Sequence, residues 1–178
     1  MEKNRQGLLH IYCGDGKGKT SAAVGMAVRA AGCGMKVLVI RFLKTENSGE
    51  VEVLRSIPGI TVPPCERTFG FVFRMTEEQK QEAALYYQSR FEAAAEEAVQ
   101  GEYDLLILDE ILASCNYGMV RETSVVEFLK NRPEKLEVVL TGRNPSETFL
   151  ELADYVSEIC MRRHPYEKGI PARRGIEF

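Results

Sequence analysis

The sequence predicts an α/β protein, a mostly parallel central sheet with helices on both faces. Three observations predict it. Val37-Leu38-Val39-Ile40, Leu105-Leu106-Ile107-Leu108 and Val138-Val139-Leu140 are continuous apolar runs, the pattern of strands covered on both sides. Stretches with helical spacing and helix-start signals lie between them, and strands that alternate with helices favour parallel pairing. Finally, the apolar run that begins at Leu8 ends in a glycine-rich loop that leads directly into an Ala-rich helix.

The elements follow in order. Leu8 to Cys13 is the first strand and Lys19 to Ala31 the first helix, with Ala22, Ala23, Gly25, Ala27 and Ala30 small enough to pack closely on a sheet. Gly32 and Gly34 stop that helix, because glycine takes the left-handed C-cap conformation at little cost. The strand Val37–Ile40 ends in Arg41-Phe42-Leu43-Lys44, and Thr45 to Glu50 reads as a polar loop. Ile60 to Val62 reads as a short strand after the Pro58-Gly59 turn. Thr76-Glu77-Glu78-Gln79 is a capping box that opens a helix to about Gln100, with Ala84, Tyr87, Phe91, Ala95 and Ala98 on one face. Glu122 to Lys130 reads as a helix. Asn144 is placed to cap a further helix, with Pro145 at its first position. Val156 to Ile159 supplies the last strand, and Arg162 to Phe178 forms a basic tail.

The totals set bounds. The 178 residues fit a single domain, 1–178, long enough for one sizeable core. Hydrophobic content of 44% and charged content of 28% are ordinary for a globular chain. A net charge of −3 gives no reason to expect nucleic acid or an anionic membrane as partner. The five cysteines are scattered without a C-x-x-C pair, which favours reduced thiols over a disulfide framework or zinc site. No charged-then-apolar leader precedes the first strand and no apolar run approaches membrane-spanning length, so the chain reads as cytoplasmic.

The chemistry starts at Gly14-Asp15-Gly16-Lys17-Gly18-Lys19-Thr20-Ser21. Three glycines let successive backbone N–H groups turn inward around an anion, and the helix behind them adds its positive dipole end. Lys19 can then reach the terminal phosphates, and the Thr20 hydroxyl can bind magnesium. The common P-loop pattern begins with Gly, whereas here that position is Cys13; the strand–loop–helix context carries the reading. Leu108-Asp109-Glu110 ends a buried strand with two carboxylates, as a Walker B segment does, and ligands of open α/β sheets bind along that edge. Lys44 and Arg143 end other strands on the same edge, where cations can balance a triphosphate. Phe69-Gly70-Phe71-Val72-Phe73 is either buried loop packing or an apolar platform for a flat ligand. The Asn-Lys-x-Asp motif of GTPases is absent, and with two histidines, His10 and His164, there is no legible nucleophile–base set.

Together these segments resemble a known family. The Gly14–Thr20 loop, Arg41-Phe42-Leu43-Lys44, Gly70-Phe71-Val72-Phe73, Leu108-Asp109-Glu110, Thr141-Gly142-Arg143-Asn144, Glu151-Leu152-Ala153-Asp154 and the closing Gly175-Ile176-Glu177-Phe178 are similar, in order, to ATP:corrinoid adenosyltransferases of the CobA/BtuR type. The resemblance implies a RecA-like P-loop fold, a homodimer and a flavin-dependent reductase as partner. It also implies transfer of the 5′-deoxyadenosyl group of ATP to the cobalt(I) of a corrinoid, with release of tripolyphosphate. Cobalt(I) is itself the nucleophile, which explains the missing general base. On the family pattern Gly14 to Ser21 hold ATP, with Lys19 and Arg143 as the catalytic cations and His164 near the phosphates. Thr20, Glu110 and Asp109 would hold Mg2+, and Phe71 and Phe73 would close over the lower face of the corrin. Phe73 stands where some members carry Trp. A P-loop ATPase or small-molecule kinase of another substrate class is the alternative, and a nucleotide- or corrinoid-binding regulator without turnover is a third reading.

Overall fold

A strand covered by helices on both faces must bury every side chain, and β2 and β4 of the computed structural model do so at all five positions. The structure describes residues 6–70 and 72–177. β1 (Leu9–Cys13) is followed by α1 (Lys19–Gly32), β2 (Val37–Arg41), α2 (Glu50–Ser56) and β3 (Ile60–Thr61). A 3-10 turn at Val72–Arg74 precedes α3 (Glu77–Gln100), β4 (Leu105–Asp109), α4 (Ile111–Asn116) and α5 (Glu122–Asn131). β5 (Glu137–Thr141), α6 (Glu147–Leu152), β6 (Tyr155–Glu158) and a last 3-10 turn (Pro165–Lys168) complete the chain.

The six strands form one sheet in the order β3-β2-β4-β5-β1-β6, and every pairing is parallel. The expected α/β architecture is therefore present. Alternate side chains of each strand point to opposite faces, so one strand serves two cores. Leu38, Ile40, Leu106 and Leu108 pack with Tyr87 and Phe91 of α3, Leu129 of α5 and Phe149 of α6. Val37, Val39, Leu105 and Ile107 pack with Ala23 and Ala27 of α1 and with Val51 and Leu54 of α2. Parallel pairing brings the carboxyl ends of the strands to one edge, and the candidate site residues collect there.

The capping box at Thr76 forms as expected, with reciprocal bonds between Thr76 and Gln79. The buried stripe of α3 runs Ala83, Tyr87, Phe91, Ala94 and Ala98, so Ala84 and Ala95 lie at its margin and not at its centre. The cap expected at Asn144 is instead Ser146, whose hydroxyl accepts the N–H of Phe149. Asn144 takes φ 49, a left-handed turn that asparagine tolerates better than most residues. Two short helices, α2 and α4, were not expected from the sequence.

Candidate active site

The loop between β1 and α1 is shaped by how closely it approaches β6. A Cβ on Gly14 or Gly16 would stand 2.5 or 2.6 Å from the Ile159 carbonyl oxygen, so neither position admits a side chain without backbone movement. The Gly16 N–H is spent on that carbonyl at 2.7 Å, so the cradle is built from the remaining amides. The Asp15 carboxylate accepts the Met161 N–H at 2.8 Å, which holds its pKa below the usual carboxylate range and fastens the loop to the segment after β6. Gly18, at φ 123, turns the chain into α1, whose 14 residues put a positive dipole end behind the loop. Lys19 turns back along the loop, donating from Nζ to Gly16 O at 2.7 Å. Burial holds its ammonium below the ordinary lysine value, against the opposing pull of Glu110.

Asp109 is the hub beneath this loop. It is 2% exposed, and Oδ1 accepts the hydroxyls of Thr20 (3.0 Å) and Thr141 (2.6 Å) while Oδ2 accepts from Lys44 Nζ. Lys44 Nζ also donates to Thr20 Oγ1 at 2.9 Å. Glu110, next along, takes φ 62, and its N–H donates to Thr141 Oγ1 at 2.9 Å. Burial pushes the Glu110 carboxyl up and the charge of Asp109 adds to this, while Lys44, Lys19 and Arg143 act in the opposite direction. Leu43, Glu110 and Asn144, shortly after β2, β4 and β5, all hold left-handed backbone at φ 53, 62 and 49. Such strain costs about 1–3 kcal/mol per residue and gathers where a site must be held in a fixed shape.

Asp15 to Ser21, Glu110, Arg143 and His164 line one cleft of about 210 Å³, closed on another side by Ile176 and Glu177 of the tail. Arg143 reaches the loop by donating to Asp15 O at 3.4 Å. His164 accepts the Tyr166 N–H through Nδ1 and so caps the 3-10 turn of the tail. Asp109 lies below the cleft wall, in contact with it through Thr20. Phe73 lies outside this cleft and is 77% exposed, with the Arg74 guanidinium 5.5 Å from its ring. Phe69 instead packs at ring distances of 5.6 and 5.8 Å from Tyr86 and Tyr87, so the aromatic cluster divides between core packing and surface. Phe71 lies outside the described residues.

A P-loop facing two strand-end carboxylates on a parallel sheet narrows the protein to nucleotide chemistry, and comparison with known proteins narrows it further. The family model for ATP:corrinoid adenosyltransferase BtuR/CobO/CobP matches residues 5–178. The chain belongs to this family. It is 31% identical over 177 residues to the corrinoid adenosyltransferase of Pseudomonas aeruginosa, covering 99% of this chain and 86% of that one. Against the corrinoid adenosyltransferase of Escherichia coli K12 the identity is 32%, covering 99% and 88%; against that of a Sinorhizobium species it is 33%, covering 98% and 82%. Among solved structures, ATPases 2 and 3 of EssC from Geobacillus thermodenitrificans superpose with a TM-score of 0.51 at 12% identity. That superposition spans 96% of this chain and 36% of the other, and it speaks for the ATPase-like fold alone.

For an ATP:corrinoid adenosyltransferase, the residues that sequence reasoning underrated are Lys44, Thr141 and the Ile176-Glu177 pair. Thr141 carried a signal, a polar residue ending an apolar strand before glycine. Glu177 carried none, because its place beside the P-loop depends on how the tail folds back.

Proposed function

We propose that the P-loop cleft of this corrinoid adenosyltransferase holds the triphosphate of ATP while the cobalt(I) of a corrinoid attacks the 5′ carbon. A cobalt–carbon bond forms as the C5′–O bond breaks, and tripolyphosphate leaves with the electron pair. The cobalt centre, as substrate, supplies both electrons, so no side chain has to act as base. The work left to the protein is orientation and neutralisation of charge growing on the leaving oxygens.

In this reading the free amides of Gly14 to Ser21 and the amino end of α1 bind the phosphates. Lys19, freed from Gly16 O, and Arg143 balance the leaving charge, and His164 lies within reach of it. The oxygens of Thr20, Asp109 and Glu110 are hard donors suited to magnesium, which takes one or two carboxylates and completes its shell with phosphate and water. Lys44 already sits between two of them as a stand-in cation, so the donor set fits the metal. Bound there, Mg2+ would supply charge neutralisation to the triphosphate. Phe73 presents an exposed apolar face, and with Phe71 it would cover the lower face of the corrin. The enzyme works as a homodimer in the cytoplasm, receiving cobalt(I) from a flavin-dependent reductase. The free state of all five cysteines agrees with a reducing compartment.

The observation that carries this reading is the convergence of Lys19, Glu110, Arg143 and His164 on one phosphate-sized cleft in a member of this family. The test is to mix the protein with MgATP and chemically reduced cobalamin and follow the adenosylcobalamin spectrum. Its appearance supports the reading, while ADP formed without adenosylcobalamin supports an ATPase or kinase.

A further inference from the structure

The gap between Thr20 and Asp109 is occupied by a side chain. Lys44 Nζ donates to Thr20 Oγ1 at 2.9 Å and to Asp109 Oδ2. On the metal reading proposed above, on which this inference rests, these same oxygens serve magnesium. Magnesium needs its oxygens at about 2.0–2.1 Å in a near-octahedral set, so it cannot share the gap with an ammonium. Two cations a few ångströms apart would also repel strongly in so dry a place.

Lys44 is held there by its surroundings. Leu43 turns the chain in the left-handed conformation at φ 53, which aims the next residue at the sheet edge. Arg41, 2% exposed, pins the following residue by donating to Thr45 O at 2.8 Å. Lys44 also has a way out. Its side chain is 20% exposed, and a cleft of about 780 Å³, lined by Thr20, Lys44, Thr45 and Glu177 among others, opens beside it.

We propose that Lys44 is a built-in placeholder for the metal: it neutralises Asp109 and orients Thr20 in the nucleotide-free enzyme, then yields both oxygens to the metal when metal and ATP arrive together. The displaced ammonium moves to the phosphate oxygens, which replace Asp109 as its partner. Metal alone offers no such anion, so it binds poorly without nucleotide. Metal and nucleotide are thereby coupled, each favouring the other.

The test measures Mn2+ binding to the full-length protein by electron paramagnetic resonance, without nucleotide, and Mn·ATP binding by calorimetry, without corrinoid. K44M removes the placeholder. K44Q removes its charge but keeps a donor for Thr20 and Asp109, which protects the fold. Both should bind Mn2+ alone about tenfold more tightly than the wild type and Mn·ATP about tenfold more weakly, a difference of one decade in each constant. K36M removes the same charge from a lysine that donates to Gly101 O before β2, at the opposite end of the strand from Lys44, and its affinity for Mn2+ alone should change less than about twofold. Unchanged Mn2+ affinity in K44M and K44Q, or an equal gain in K36M, overturns the placeholder while leaving the adenosyltransferase reading intact. Failure of the wild type to bind Mn·ATP at all overturns the metal assignment, and the placeholder with it.

Discussion

Thr141 Oγ1 donates to Asp109 Oδ1 at 2.6 Å from a fully buried position and accepts the Glu110 N–H at 2.9 Å. One hydroxyl at the end of β5 thus fixes the Asp109 carboxylate that ends β4 and the backbone of Glu110 that follows it. The strands are neighbours in the sheet, so the relation is a direct product of topology.

T141V keeps the shape and deletes both bonds. A hydrogen bond to a charged group contributes about 1.5–3 kcal/mol, and unfolding by urea should show a loss of that order. Adenosyl transfer should fall about tenfold or more, because the Asp109 carboxylate and the Glu110 backbone both lose a bond that positions them. T141S should restore most of both. A T141V enzyme with wild-type stability and rate would show that the hydroxyl directs nothing.

G16A should damage the loop through sterics alone. Its new methyl group would stand 2.6 Å from Ile159 O, and forced overpacking of this kind costs about 1–3 kcal/mol. ATP affinity, measured by calorimetry, should fall with it. G25A is the control: nothing lies within 4 Å of a Cβ there, and inside α1 the change should stabilise by about 0.5–1 kcal/mol.

F73A should leave folding alone, since the ring is 77% exposed and such surface changes stay within about 0.5 kcal/mol. The KM for the corrinoid should rise several-fold, by about 1 kcal/mol of lost apolar contact, while the KM for ATP stays level. A matched rise in both constants would argue against a corrin-facing role.

Acid stability depends on Glu46. Burial alone would raise this carboxyl, but the N–H of Cys65, the bond from Arg55 and the charge of Arg41 outweigh it and bring it down to about 2. A carboxyl depressed in the folded state adds stability above its unfolded value of 4.5, and that contribution is lost as pH falls from 4.5 through about 2. The side chain is 35% exposed, so with solvent screening the loss amounts to about 1 kcal/mol. In E46Q, the drop in melting temperature between pH 5 and about pH 2.5 should be smaller than in the wild type.

Much of the fold was legible because its strands are buried twice over. β2, β4 and β5 show as unbroken apolar runs, and a glycine loop after β1 can be read without knowing its neighbours. The helices α2 and α4 were hidden for a local reason. α2 begins at Gly49 without a side-chain cap and α4 begins at Glu110 in a left-handed conformation, so neither carries a starting signal. In the site, loop residues, strand-end carboxylates and Arg143 could be read from position alone. What Lys44 bonds to could not, because a long side chain has many destinations and only the packed sheet edge selects Thr20 and Asp109. Likewise Ile176 and Glu177 reach the cleft through a tail whose course is set by contacts far away in sequence.

On the proposed chemistry the loop aims the adenosine carbon, and not the terminal phosphorus, at the nucleophile. Phosphorus NMR of a reaction with MgATP and cobalt(I) cobalamin tests it directly. Tripolyphosphate should form in equal amount to adenosylcobalamin, and neither product should form with K19A, whose far-ultraviolet circular dichroism should match the wild type. ADP and orthophosphate as the primary products, or undiminished transfer by K19A, would contradict it.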